Sequence, residues 1–135
     1  MSDYNRPIIE EFRSNGGRVG GRWEGRDLLL LTTTGRKSGR EHVTPVVFTR
    51  DGDRLLVYAS AAGSPRNPDW YENLVADPHV AVEVGDERYD ALATPLPEEE
   101  RQRVFAEHAA RWPAFAEYQE RAGRRPIPVV ALTRQ

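Results

Sequence analysis

Two hydrophobic periods divide the chain. Leu28 to Thr34 is four leucines followed by three β-branched threonines, with no helical spacing, and predicts a strand buried on both faces. The run breaks at Gly35 into a polar tip, Arg36-Lys37-Ser38-Gly39-Arg40, and Val43 to Arg50 is extended again, so the tip joins strand to strand. Leu55 to Ser60 follows across Asp51-Gly52, a dipeptide that supplies the positive dihedrals of a tight hairpin. His79 to Val84 and Glu87 to Thr94 alternate apolar with polar around Gly85-Asp86, which puts Glu83, Arg88 and Asp90 at the surface. Ile127 to Thr133 is a last strand.

Helical spacing governs the rest. Tyr4 to Arg13 places Ile8, Ile9 and Phe12 on one stripe, stopped by Asn15-Gly16-Gly17. That stripe has two readings, packing on the sheet or touching a membrane or lipophilic ligand; packing is the plainer, because one short stripe seldom holds a protein on a bilayer. Gly16 to Arg26 is a flexible connector with a brief strand around Val19 to Trp23. Asn67-Pro68-Asp69 reads as a helix start, with an N-cap amide, a proline at the first position and an acid at the positive end of the dipole; the helix runs to Ala76 and stops at Asp77-Pro78. A third helix opens at Pro97, carries Val104, Phe105 and His108 on its apolar stripe and breaks at Trp112-Pro113; a short fourth carries Phe115 and Tyr118 to Gly123.

Composition narrows the function. At 135 residues the chain is expected to form one domain, residues 1–135, with 1–26 as N-terminal helix and connector. A formal charge of -2 gives no basic field for nucleic acid. Cysteine is absent, which removes disulfides and thiolate chemistry and fits a cytoplasmic protein. No run has the length of a transmembrane helix or the form of a signal peptide. His42, His79 and His108 lack the spacing of a zinc motif, and no metal is expected.

The tip between the first two strands is the strongest candidate for chemistry. It is not a Walker loop, since arginine precedes the lysine and a strand, not a helix, follows. Of nineteen basic residues, eighteen are arginine, and the sole lysine is Lys37. A rotatable ammonium beside a guanidinium fork suits phosphate or carboxylate, and a solvated hairpin tip with ordinary surface cations explains the same residues. Trp70 and Leu74, one turn apart on the second helix, are explained by packing. Asn73 is less easily dismissed, because an amide on so short a helix is either exposed or hydrogen-bonded to something specific. Ser60 lacks the setting of a hydrolase nucleophile.

Three blocks in this order, LLLTTTGRKSG at 29–39, Tyr58-Ala59-Ser60 and NPDWYENL at 67–74, resemble the deazaflavin-dependent nitroreductase and quinone-reductase family of actinobacteria. The resemblance implies an α+β split β-barrel of six to seven mainly antiparallel strands with peripheral helices. It also implies an oxidoreductase that passes hydride from the reduced deazaflavin coenzyme F₄₂₀ to a quinone or nitroaromatic. By the same resemblance Arg36, Lys37 and Ser38 hold the phosphate and acidic tail, Thr44, Pro45, Ala59 and Ser60 border the ring, and Trp70 and Asn73 help close the groove. Val47, Trp112, Phe115 and Tyr118 form the acceptor wall, and Ser60 or Tyr118 donates a proton or hydrogen bond. Departures from the family pattern are Ala61 where a basic residue is common, a more apolar wall, and His42 where arginine is common. An FMN-dependent enzyme on the same barrel and a non-catalytic deazaflavin carrier are the competing readings. A monomer is expected, cytoplasmic, with weak contact at the inner membrane face through the first helix as the alternative.

Overall fold

The computed structural model describes residues 5–21 and 27–135. Six antiparallel strands close a barrel in the order β1 (Leu28–Thr34), β2 (Glu41–Asp51), β3 (Arg54–Tyr58), β6 (Val129–Arg134), β5 (Glu87–Pro95) and β4 (His79–Val84). The leucine run is buried on both faces, as its lack of alternation predicts. Leu29 and Leu31 point into the barrel with Val57, Val82, Val130 and Leu132, while Leu28 and Leu30 pack outside it with Ile9 and Phe12. The β2–β3 hairpin turns one residue later than expected: Asp51 pairs with Arg54, and Gly52, with φ 60°, takes the first central position.

Helix α1 (Arg6–Ser14) packs on the barrel. Ile9 and Phe12 are 3 % and 1 % exposed, and Arg13 makes a two-pronged bond to Glu83 of β4 at 3.0 and 2.9 Å. The strand expected around Val19 to Trp23 is not formed over residues 19–21, and residues 22 and 23 lie outside the described residues. Helix α2 (Asp69–Ala76) contributes Trp70 and Leu74 to the core inside the barrel. Helices α3 (Glu98–Arg111) and α4 (Ala114–Ala122) cover the outer face of β3 and β6, where Val104, Phe105 and Phe115 pack on Leu56, Tyr58, Val129 and Ala131.

One expectation fails at the start of α2. Pro68, with extended backbone, is the cap residue, and no side chain caps the helix. The Asn67 amide is engaged elsewhere: its oxygen accepts from Arg125 at 2.8 Å. A guanidinium is a stronger donor than a helix amide, so the distant partner takes the local cap.

Because Phe12 is enclosed, Phe12→Ala should cost about 3–5 kcal/mol, whereas Val75→Ala, at an exposed position, should stay within about 0.5 kcal/mol. Urea denaturation measures both; equal small effects would mean that α1 is not part of the core.

Candidate functional site

The register of β2 creates the site. Its residues 41–47 pair with β1, but β3 pairs only with 48–51, so the edge of β2 that faces β3 has no ladder partner over Glu41–Val47. Phe48 donates to Asp27 at 3.0 Å and Gly35 to Arg40 at 2.7 Å, which sets the hydrogen-bonded pairs with β1 at the even residues of β2. The main-chain groups of Val43 and Pro45 therefore turn to the bare edge. A proline is tolerated there because its missing donor faces no ladder.

Beside this edge lies a cavity of about 560 Å³. Arg36, Lys37 and Ser38 line it from the tip, His42 and Thr44 from β2, and Trp70 and Asn73 from α2; Gly35, Val43, Asp69 and Asn5 complete it. The two tip cations that line it play different parts. Arg36 is clamped: its backbone N–H and its Nη1 both donate to Oδ1 of Asn73, at 3.2 and 2.8 Å, and its Nη2 lies 3.5 Å from Asp69. Asn73 is 4 % exposed, and its Nδ2 donates to Oγ1 of Thr33 at 3.4 Å. Lys37 is exposed and makes no ion pair or hydrogen bond among the described residues. The Ser38 hydroxyl accepts from the Arg40 amide at 3.1 Å, which shapes the tip. Gly35 is needed for close packing: a Cβ there would meet Nε2 of His42 at 2.7 Å and Oγ of Ser38 at 2.8 Å.

Other expected site residues lie elsewhere. Pro45 is buried, and Ala59 and Ser60 continue beyond β3, outside the cavity lining; the Ser60 hydroxyl makes no hydrogen bond among the described residues. Val47 packs against the cluster under α1. The aromatic wall is corrected most. Phe115 is 6 % exposed and packs edge-on against His108 at 4.3 Å and Tyr118 at 5.2 Å, in the core under α3 and α4, so it offers no face to a ligand. Trp112 and Tyr118 are half-buried against the same core, and neither lines the cavity. The bend between α3 and α4 must cover the apolar outer face of β3 and β6, and these aromatics do that. Sequence reasoning passed over Asp69 as a cavity-lining group and over Arg125, whose guanidinium holds the segment beyond β3.

The closed antiparallel barrel, with a bare strand edge and a cavity lined by the β1–β2 tip, is a split-barrel fold. The model of the F420H(2)-dependent quinone reductase family matches residues 4–134, and the chain belongs to that family. It is 42 % identical over 131 residues to an F420H(2)-dependent quinone reductase of Mycobacterium tuberculosis, covering 92 % of this chain and 85 % of the relative. Among solved structures it is similar to the F420-H2-dependent reductase FDR-A, at 36 % identity and TM-score 0.70, over 79 % of this chain and 94 % of that one. A domain-swapped dimer matches at 32 % identity and TM-score 0.71, over 96 % and 97 %. The family makes this protein an oxidoreductase whose hydride comes from reduced F₄₂₀.

Asn73→Ala should leave the Arg36 amide and guanidinium without their acceptor and cost about 1–3 kcal/mol of stability. A loss below about 0.5 kcal/mol in urea denaturation, the range of an ordinary surface change, would show that the clamp is not formed in solution.

Proposed function

We propose that the cavity beside the bare edge of β2 is the tail end of the cofactor site, with Lys37, Arg36 and Ser38 holding the phosphate and acidic tail, and that the ring runs from Thr44 in the cavity lining along the edge toward Pro45, Ala59 and Ser60, which lie beyond that lining. The observation that carries this is the division of labour at the tip: Arg36 is fixed by Asn73, while Lys37, the sole lysine of the chain, stands with its charge unspent. The fit is chemical. An anionic tail meets an ammonium, a guanidinium and a hydroxyl, and a flat ring meets a strand edge that has no ladder partner among the described residues. When bound, the reduced deazaflavin supplies hydride. The chain orients the acceptor, keeps water from the ring and offers polar hydrogens, such as the Ser60 hydroxyl, to the oxygen that gains charge. A quinone takes up one hydride and one proton to become the hydroquinone, and quinones are the acceptors we place first, with nitroaromatics second.

We read the protein as cytoplasmic. Supporting this, no helix among the described residues is long and apolar enough to cross a membrane, and Ile9 and Phe12 of α1 are turned to the barrel rather than to a bilayer. On assembly, the 32 %-identical domain-swapped dimer counts against the expected monomer; sedimentation of the purified protein decides between the two.

Loss of one charge-assisted contact costs about 1.5–3 kcal/mol, so Lys37→Ala should weaken F₄₂₀ binding about 10- to 100-fold in a fluorescence titration. With a single lysine, an amine-reactive reagent also reports the site: F₄₂₀ should protect Lys37 from modification. Affinity unchanged in the variant, together with unprotected Lys37, would exclude the tip as the anion grip. Tight binding without oxidation of the reduced cofactor by any quinone or nitroaromatic would favour the carrier reading.

A further inference from the structure

One side chain outside the cavity lining holds the segment just beyond β3. Arg125 lies between α4 and β6, and its guanidinium donates to four oxygens. Nη1 reaches the carbonyl of Ala59 at 2.9 Å and Oδ1 of Asn67 at 2.8 Å, Nη2 the carbonyl of Ser60 at 2.8 Å, and Nε the carbonyl of Ser64 at 3.0 Å. These acceptors span the whole connection from β3 to α2. All four are neutral, so the positive charge is not matched by a carboxylate. Burial alone holds the Arg125 pKa below its ordinary value. The arginine is itself fixed: Gln119 donates to its carbonyl at 2.8 Å and accepts from the Ile127 amide at 3.0 Å.

The gripped segment has a backbone that needs such support. Ala61 has φ 48°, the one positive value at a non-glycine among the described residues. Gly63 has φ 83°, and a Cβ there would sit 2.8 Å from the Tyr118 carbonyl, so the turn is also wedged against α4. With the carbonyls of Ala59 and Ser60 drawn to Arg125, the trans peptides point the N–H groups of Ser60 and Ala61 the opposite way, and neither finds an acceptor among the described residues.

We propose that Arg125 is a positioning residue for the reductase reaction, fixing through four neutral oxygens the strand end Ala59–Ser60 from which these residues border the cofactor. This rests on the cofactor reading above. The fork geometry, not the charge alone, does the positioning, because a lysine ammonium cannot reach four acceptors spread over the segment.

Hydrogen exchange of residues 59–67 in the cofactor-free protein tests the latch independently of any activity. Arg125→Gln and Arg125→Lys should both exchange there about tenfold faster, with the barrel strands unchanged. Asn67→Ala, which removes one acceptor and keeps the arginine, should give a smaller effect in the same segment. In single turnovers with F₄₂₀H₂ and a benzoquinone, both Arg125 variants should lose about 10- to 100-fold in rate. Their affinity for F₄₂₀ should stay within about twofold, as expected for a separate anion grip. Added guanidinium should restore rate to Arg125→Ala. Unchanged exchange at 59–67, full activity in Arg125→Lys, or parallel loss of barrel protection and affinity without rescue would each overturn the proposal. Wild-type protein that neither binds nor oxidises F₄₂₀H₂ would overturn the cofactor reading and the positioning role together, while the exchange data would still report whether the latch exists.

Discussion

Strand β2 serves two neighbours that are offset along it. Residues 41–47 of it are laddered to β1 and residues 48–51 to β3, so the edge that faces β3 is bare over Glu41–Val47. A buried strand edge is costly unless something hydrogen-bonds to it, and a flat heterocycle with polar edges is one such partner. Much else follows from that gap. Pro45 is accommodated beside it, Trp70 and Leu74 of α2 fill the barrel interior, and the tip at Gly35–Arg40 stands at one end of the cavity.

Asn73 ties the parts of the site together. Its one amide connects the threonine end of β1, the backbone and guanidinium at the tip, and the helix that closes the groove. In the proposed site, Arg36 held in this way would lose little freedom on binding an anion, while Lys37, unpaired among the described residues, would follow it. A fixed fork beside a mobile point charge is a sensible pairing for a ligand whose phosphate needs a defined position and whose acidic tail does not.

Most of the barrel was legible in the sequence, because strand periods and turn dipeptides report directly on local geometry. The leucine run, the 85–86 turn and the ends of α3 and α4 lie where alternation, glycine and proline place them. Asn73 was legible for a chemical reason, since an amide on so short a helix is either exposed or hydrogen-bonded to something specific. What could not be read is which face a helix lands on. Trp112, Phe115 and Tyr118 have the composition of a ligand wall, and only the tertiary packing assigns them to the core over β3 and β6. Arg125 was hidden for a different reason. It is one of eighteen arginines, and its partners lie 58 to 66 positions away, so no local pattern distinguishes it or warns that Asn67 will be taken from its helix.

The central claim is that a cationic tip beside a bare strand edge selects a deazaflavin with a phosphorylated, acidic tail. Fluorescence titration of cofactor-free protein with F₄₂₀, with the same deazaflavin lacking its phosphate and tail, and with FMN tests this most directly. The account predicts that F₄₂₀ binds at least about tenfold more tightly than either of the others, a difference of about 1.4 kcal/mol. FMN binding as tightly as F₄₂₀, or no penalty for removing the tail, would contradict it.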